Sequence, residues 1–69
     1  MTNNYFGNSI KELRLEEGIT QRELALRLGV CNQTISFWEK GQREPDLDSL
    51  VAIAKYFHVS IDFLLGTEE

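Results

Sequence analysis

Sixty-nine residues predict one domain spanning 1–69. Its core is marginal, because a chain this short buries only about 60% of the surface its unfolded form exposes. Apolar residues at 42% and charged residues at 26% exclude disorder. No apolar run approaches the roughly 18 residues of a membrane span, and Met1–Gly7 lacks a signal-peptide pattern, so a cytoplasmic setting is expected.

The first predicted helix carries Phe6, Ile10 and Leu13 on one face at i, i+4 and i+7 spacing. Its start has two readings. Ser9 and Glu12 have capping-box spacing, whereas Phe6 extends the apolar stripe upstream to a cap near Asn4. Gly18 ends it. The second helix opens on Thr20-Gln21-Arg22-Glu23, a capping box in which hydroxyl and carboxylate each satisfy an orphan backbone N–H. Ile19 and Leu24 have staple spacing around that cap. Leu24 and Leu28 form its buried stripe, Ala25 allows close helix contact, and Gly29 stops it.

Val30 and Cys31 lead into a third helix over about 32–40, with Ile35 and Trp38 facing inward, and Gly41 ends it. A polar loop, Gln42-Arg43-Glu44-Pro45, follows. Pro45 disfavours helix before it and Asp46 caps the next one. In that fourth helix Leu47, Leu50, Val51, Ile53, Ala54 and Phe57 cover an arc of about 160°, with Asp48, Lys55 and Tyr56 outside it. Ser60 caps a last short helix, 61–65, ended by Gly66. No segment alternates with the period of a strand, so the fold class is all-α, a compact bundle of five helices.

The net charge of −4 argues against a nucleic-acid partner, but the charge is uneven. Residues 20–43 carry a net +2 and residues 44–69 a net −5, so the middle third alone could face a polyanion. Within it, two helices joined across Gly29-Val30-Cys31 form a helix-turn-helix signature over about 20–40. The outward positions of the second helix hold Asn32, Gln33, Ser36 and Phe37, with Thr34 at the boundary. A plain solvated helix face favours Glu and Lys instead. Amides can bond bidentately to adenine, hydroxyls to either base type, and an aromatic edge can pack on a thymine methyl.

These pieces, in order, resemble the Cro/lambda-repressor-type helix-turn-helix regulators, the XRE family. The resemblance is carried by Ile10-Lys11-Glu12-Leu13-Arg14, Thr20-Gln21-Arg22-Glu23-Leu24-Ala25, Leu28-Gly29-Val30 and Gln33-Thr34-Ile35-Ser36. It continues through Trp38-Glu39-Lys40-Gly41, Arg43-Glu44-Pro45 and Ser60-Ile61-Asp62-Phe63-Leu64-Leu65-Gly66. It implies a lambda-repressor-like DNA-binding domain on double-stranded operator DNA, usually dimeric. Bases would be read by Asn32, Gln33, Thr34, Ser36 and Phe37. Phosphates would be held by Thr20, Gln21, Arg22, Lys40 and Arg43, and Arg14 would pair with Glu39. Many relatives carry Arg or Lys at the positions of Asn32 and Phe37, and Ser or Thr at Cys31.

The apolar C-terminal run exceeds what one small core needs. Either it completes the core under the first helix or it supplies a homodimer contact around Phe63 and Leu64, and the second reading is favoured. The expected function is sequence-specific DNA binding as a transcriptional repressor. The rival is a protein-interaction module, an antitoxin or adaptor, whose acidic last third would receive a basic partner. A single cysteine, Cys31, and a single histidine, His58, support neither a metal site nor imidazole catalysis, and no cofactor or enzyme activity is expected. Cys31 reads as a small residue that fits, and His58 as a favourable partner for a helix C-terminus.

Overall fold

The computed structural model describes residues 4–67, and all of its regular structure is helical. The elements are α1 (Tyr5–Glu17), α2 (Gln21–Leu28), α3 (Asn32–Lys40), α4 (Leu47–Phe57) and α5 (Ile61–Leu65). The stop and start residues seen in the sequence set these limits. Thr20, Asp46 and Ser60 each accept the backbone N–H three residues on, at 3.0 Å in every case. The Thr20 box is reciprocal, since the Thr20 N–H donates to Glu23 Oε1 at 2.9 Å. Gly29 takes φ +74° where α2 turns towards α3, a left-handed conformation that costs glycine nothing. His58 takes φ 59° at the end of α4, an uncommon setting for a residue with a Cβ.

Each helix gives the centre one fully buried side chain: Ile10, Leu24, Ile35, Ile53 and Leu64. Every short helix is therefore held by its neighbours, as helices of this length must be. Packing runs α2 on α3, α1 on α3 and α5, and α4 on α2 and α5. Phe6 meets the Trp38 ring edge-to-face at 6.0 Å, closing α1 over α3.

Three readings of the sequence are corrected. The Ser9–Glu12 capping box does not start α1: Ser9 is buried within the helix, and Asn4 precedes its first residue. The Asn4 side chain does not cap that helix and instead donates to the Glu39 carbonyl at 3.0 Å. The buried stripe of α4 is narrower than predicted, about 100° and made of Leu50, Ile53 and Ala54. Leu47 and Val51 stay 77% and 37% exposed, because α2 and α5, the helices α4 chiefly packs on, leave that flank largely uncovered. Finally, Leu64 is fully buried in the chain's own core and has no surface to offer a second copy, while Phe63 is half-buried against that core. The apolar tail completes the core, and Leu65, not Leu64, remains 46% exposed.

Candidate nucleic-acid interface

The helix-turn-helix is fixed from beneath by one buried network. Arg14 on α1 grips Glu39 on α3 with two hydrogen bonds, Nε to Oε2 at 2.7 Å and Nη2 to Oε1 at 3.2 Å. Its third arm, Nη1, donates to the Ile19 carbonyl at 2.9 Å, at the entry to α2. The two side chains are only 10% and 4% exposed, so the pair sits where a charge without a partner would be costly. Glu39 Oε1 also accepts from Gln21 Nε2 at 3.0 Å. One carboxylate thus joins α1, the first turn of α2 and the last turn of α3. All buried side-chain polar atoms among the described residues are satisfied.

This network decides which face of α3 is free. Ile35, Trp38 and Glu39 point inward and are buried. Successive residues turn by about 100°, which puts Gln33, Ser36, Phe37 and Lys40 on the opposite side. Gln33 and Lys40 are exposed, Ser36 and Phe37 half-buried. Asn32 is exposed in the first turn, and Thr34 is half-buried on the flank. Cys31 precedes α3 as an exposed thiol that makes no cap hydrogen bond, while its backbone carbonyl accepts from the Thr34 N–H at 3.0 Å.

Lys40, Arg22 and Arg43 are exposed. Arg43, from the α3–α4 loop, does not extend away from the body: its guanidinium carbon lies 5.7 Å from the centre of the Phe37 ring. Thr20 is exposed, with its hydroxyl engaged in the cap of α2, and Gln21 is half-buried with its amide on Glu39. The structure therefore brings Gln33, Ser36, Phe37, Lys40 and Arg43 together on one outer surface. Phe63 and Leu64 belong to the core side instead.

Several contacts that build this site were not singled out in the sequence. Gly7 is one. A Cβ there would lie 2.2 Å from the Trp38 carbonyl oxygen, so α1 can approach α3 only because position 7 has no side chain. A lone glycine inside a helical stripe was the available signal. The bonds from Asn4 and Gln21 to Glu39 had no such signal, since the partners are 35 and 18 residues apart. A second cluster lies away from the outer face of α3. Arg27 donates to the Tyr56 hydroxyl, which donates to Glu17 Oε1 at 3.2 Å, and the Tyr56 ring meets Phe57 edge-to-face at 4.9 Å. The hydroxyl of Tyr56 raises the affinity of Arg27 for its proton, with the nearby Glu23 and Glu17 charges adding to the effect. This explains why Tyr56 is half-buried although it lies outside the apolar arc.

The chain matches the Helix-turn-helix family model over residues 10–64. It is 40% identical over 63 residues to the HTH-type transcriptional regulator ImmR of Bacillus subtilis, covering 91% of this chain and 50% of that one. To the HTH-type transcriptional activator BcrR of Enterococcus faecalis it is 42% identical over 64 residues, covering 93% of this chain and 31% of that one. The chain thus spans half or less of the length of these two relatives. Among solved structures, the P22 c2 repressor protein in complex with a synthetic operator superposes with a TM-score of 0.87 at 34% identity, over 97% of this chain and 100% of that one.

Proposed function

The chain belongs to the helix-turn-helix family, and from that membership we propose that it binds double-stranded DNA sequence-specifically and regulates transcription. The observation that carries this reading is the outer face of α3. Gln33, Ser36, Phe37 and Lys40 project from a helix whose inner face is clamped by the Arg14–Glu39 pair, so a hydrogen-bonding rim is held rigidly on a scaffold. Asn32, Gln33, Thr34, Ser36 and Phe37 lie along the edge that enters the major groove. On this reading Thr20, Gln21, Arg22 and Lys40 are its phosphate contacts. The backbone N–H groups opening α2 add a site for one phosphate.

The protein acts as a homodimer on a palindromic operator, and represses. Two half-site contacts one turn of DNA apart raise the affinity far above that of either alone, because the second becomes effectively intramolecular. Leu47 and Val51, four residues apart on α4 and outside the core, offer apolar surface to a second copy in place of Leu64. Repression is the reading supported by the similarity to the P22 c2 repressor; the similarity to an activator makes a promoter reporter the deciding assay.

Selection of bound sites from random duplex DNA tests the whole reading. A palindromic consensus is expected, with a separation between half-sites of about 10 base pairs. Gln33→Ala should relax the preference at one base pair per half-site, by about 1–3 kcal/mol. A uniform loss over all sequences would remove Gln33 from base reading. A chain with no duplex affinity at low salt would overturn DNA binding and favour a protein partner for the acidic last third.

A further inference from the structure

Arg43 is placed unusually for a loop cation. The loop after α3 returns it to the outer face of that helix, where its guanidinium lies over the Phe37 ring at 5.7 Å. This is cation–π range. Phe37 follows Gln33 by four residues, one turn along the same face. The ring therefore sets the cation beside the edge of α3 that enters the groove, not out on the flank. Among the described residues no hydrogen bond or ion pair engages the Arg43 guanidinium. Its five N–H donors remain available to a ligand. Arginine meets the O6 and N7 atoms of guanine with two parallel hydrogen bonds, a contact that needs the planar group held at a fixed angle.

We propose that Phe37 is a positioning residue that holds Arg43 as a reader of one guanine in the major groove, in place of the phosphate role that the family resemblance implies for Arg43. This rests on the DNA-binding reading above. The aromatic face restricts a flexible side chain before DNA arrives. Less conformational freedom is then lost on binding, and the cation is directed to a base edge instead of ranging over the nearest phosphates.

The test uses the full chain and duplexes that carry the selected site or that site changed at one base pair at a time. Affinities are measured for the wild type, Arg43→Ala, Phe37→Ala, Phe37→Leu, Phe37→Tyr and the Arg43→Ala/Phe37→Ala double variant. The wild type should discriminate against replacement of one G·C pair by about 5- to 150-fold. Arg43→Ala should abolish that discrimination and leave the other positions intact. Phe37→Leu, which keeps apolar bulk but lacks a π face, should weaken discrimination at the same pair, and Phe37→Tyr should restore it. The double variant should be no less selective there than Arg43→Ala alone.

A uniform loss of affinity in Arg43→Ala, with the salt slope reduced by about 1, makes Arg43 a phosphate contact and overturns the proposal. So does a Phe37→Leu effect at a base pair different from that of Arg43, which would make Phe37 a base contact in its own right. Arg43 is exposed, so its variant stays informative even if Phe37→Ala folds poorly. A wild type without duplex affinity defeats the DNA-binding reading itself, and this outcome is distinct from both of the others.

Discussion

Replacing Glu39 with glutamine removes one charge and almost no volume, so it isolates what the buried network contributes. Glu39 accepts two hydrogen bonds from Arg14, at 2.7 and 3.2 Å, and one from Gln21 at 3.0 Å. In Glu39→Gln one of those acceptor oxygens becomes an NH2 group, which faces donors. The Arg14 guanidinium, in a side chain only 10% exposed, keeps its charge without a counter-ion. Breaking a buried pair in this way costs about 3–5 kcal/mol. At roughly 0.05–0.15 kcal/mol per residue, a chain of 69 residues is stable by about 3–10 kcal/mol in all. The variant should therefore be largely unfolded or lose at least 12 °C in Tm, at about 4 °C or more per kcal/mol. Urea melts followed by Trp38 fluorescence would measure this, because Trp38 is 3% exposed in the folded chain and becomes hydrated on unfolding. Arg14→Met/Glu39→Met should recover most of the loss, since replacing both charges by apolar groups is often neutral. A cost below about 1 kcal/mol for Glu39→Gln, the value typical of an exposed pair, would refute the reasoning.

Three further outcomes follow from the same geometry. Gly7→Ala should destabilise by about 1–3 kcal/mol in a thermal melt, although alanine is the better helix former by roughly 1 kcal/mol, because its Cβ meets the Trp38 carbonyl. Leu64→Ala should cost about 2–5 kcal/mol in stability, as a cavity in the core does; full stability with a loss of dimer would put Leu64 back at an interface. Acid should weaken the helix caps. Bonds from the Thr20 backbone N–H and then the Thr20 side chain hold the Glu23 carboxyl below its usual range, and bonds to Ser49 do the same for Asp46. Both folded-state values lie below the unfolded ones. Their contribution is thus complete above about pH 5 and is lost as the pH falls through the folded-state values. Melts from pH 7 to pH 3 should show smaller acid losses in Glu23→Gln and Asp46→Asn than in the wild type, each starting from a lower stability at pH 7.

The residues that start and stop helices act through bonds to neighbours three or four positions away, so they were legible along the chain. Thr20-x-x-Glu23, Asp46 and Ser60 start α2, α4 and α5, and the glycines at 29, 41 and 66 end α2, α3 and α5, where the structure has them. The inward places of Ile35 and Trp38, and the outward place of Gln33, follow from helical period alone. The failures share one cause: whether an apolar residue is covered depends on which helices lie across from it. Leu47 and Val51 have the right period and no neighbour to bury them, whereas Leu64 is enclosed by elements far off in sequence. Only the packed structure brings Asn4, Arg14 and Gln21 to one residue, Glu39, and lays Arg43 across Phe37. Periodicity fixes the direction of a side chain from its own helix. The partner it meets there is decided by how the helices cross.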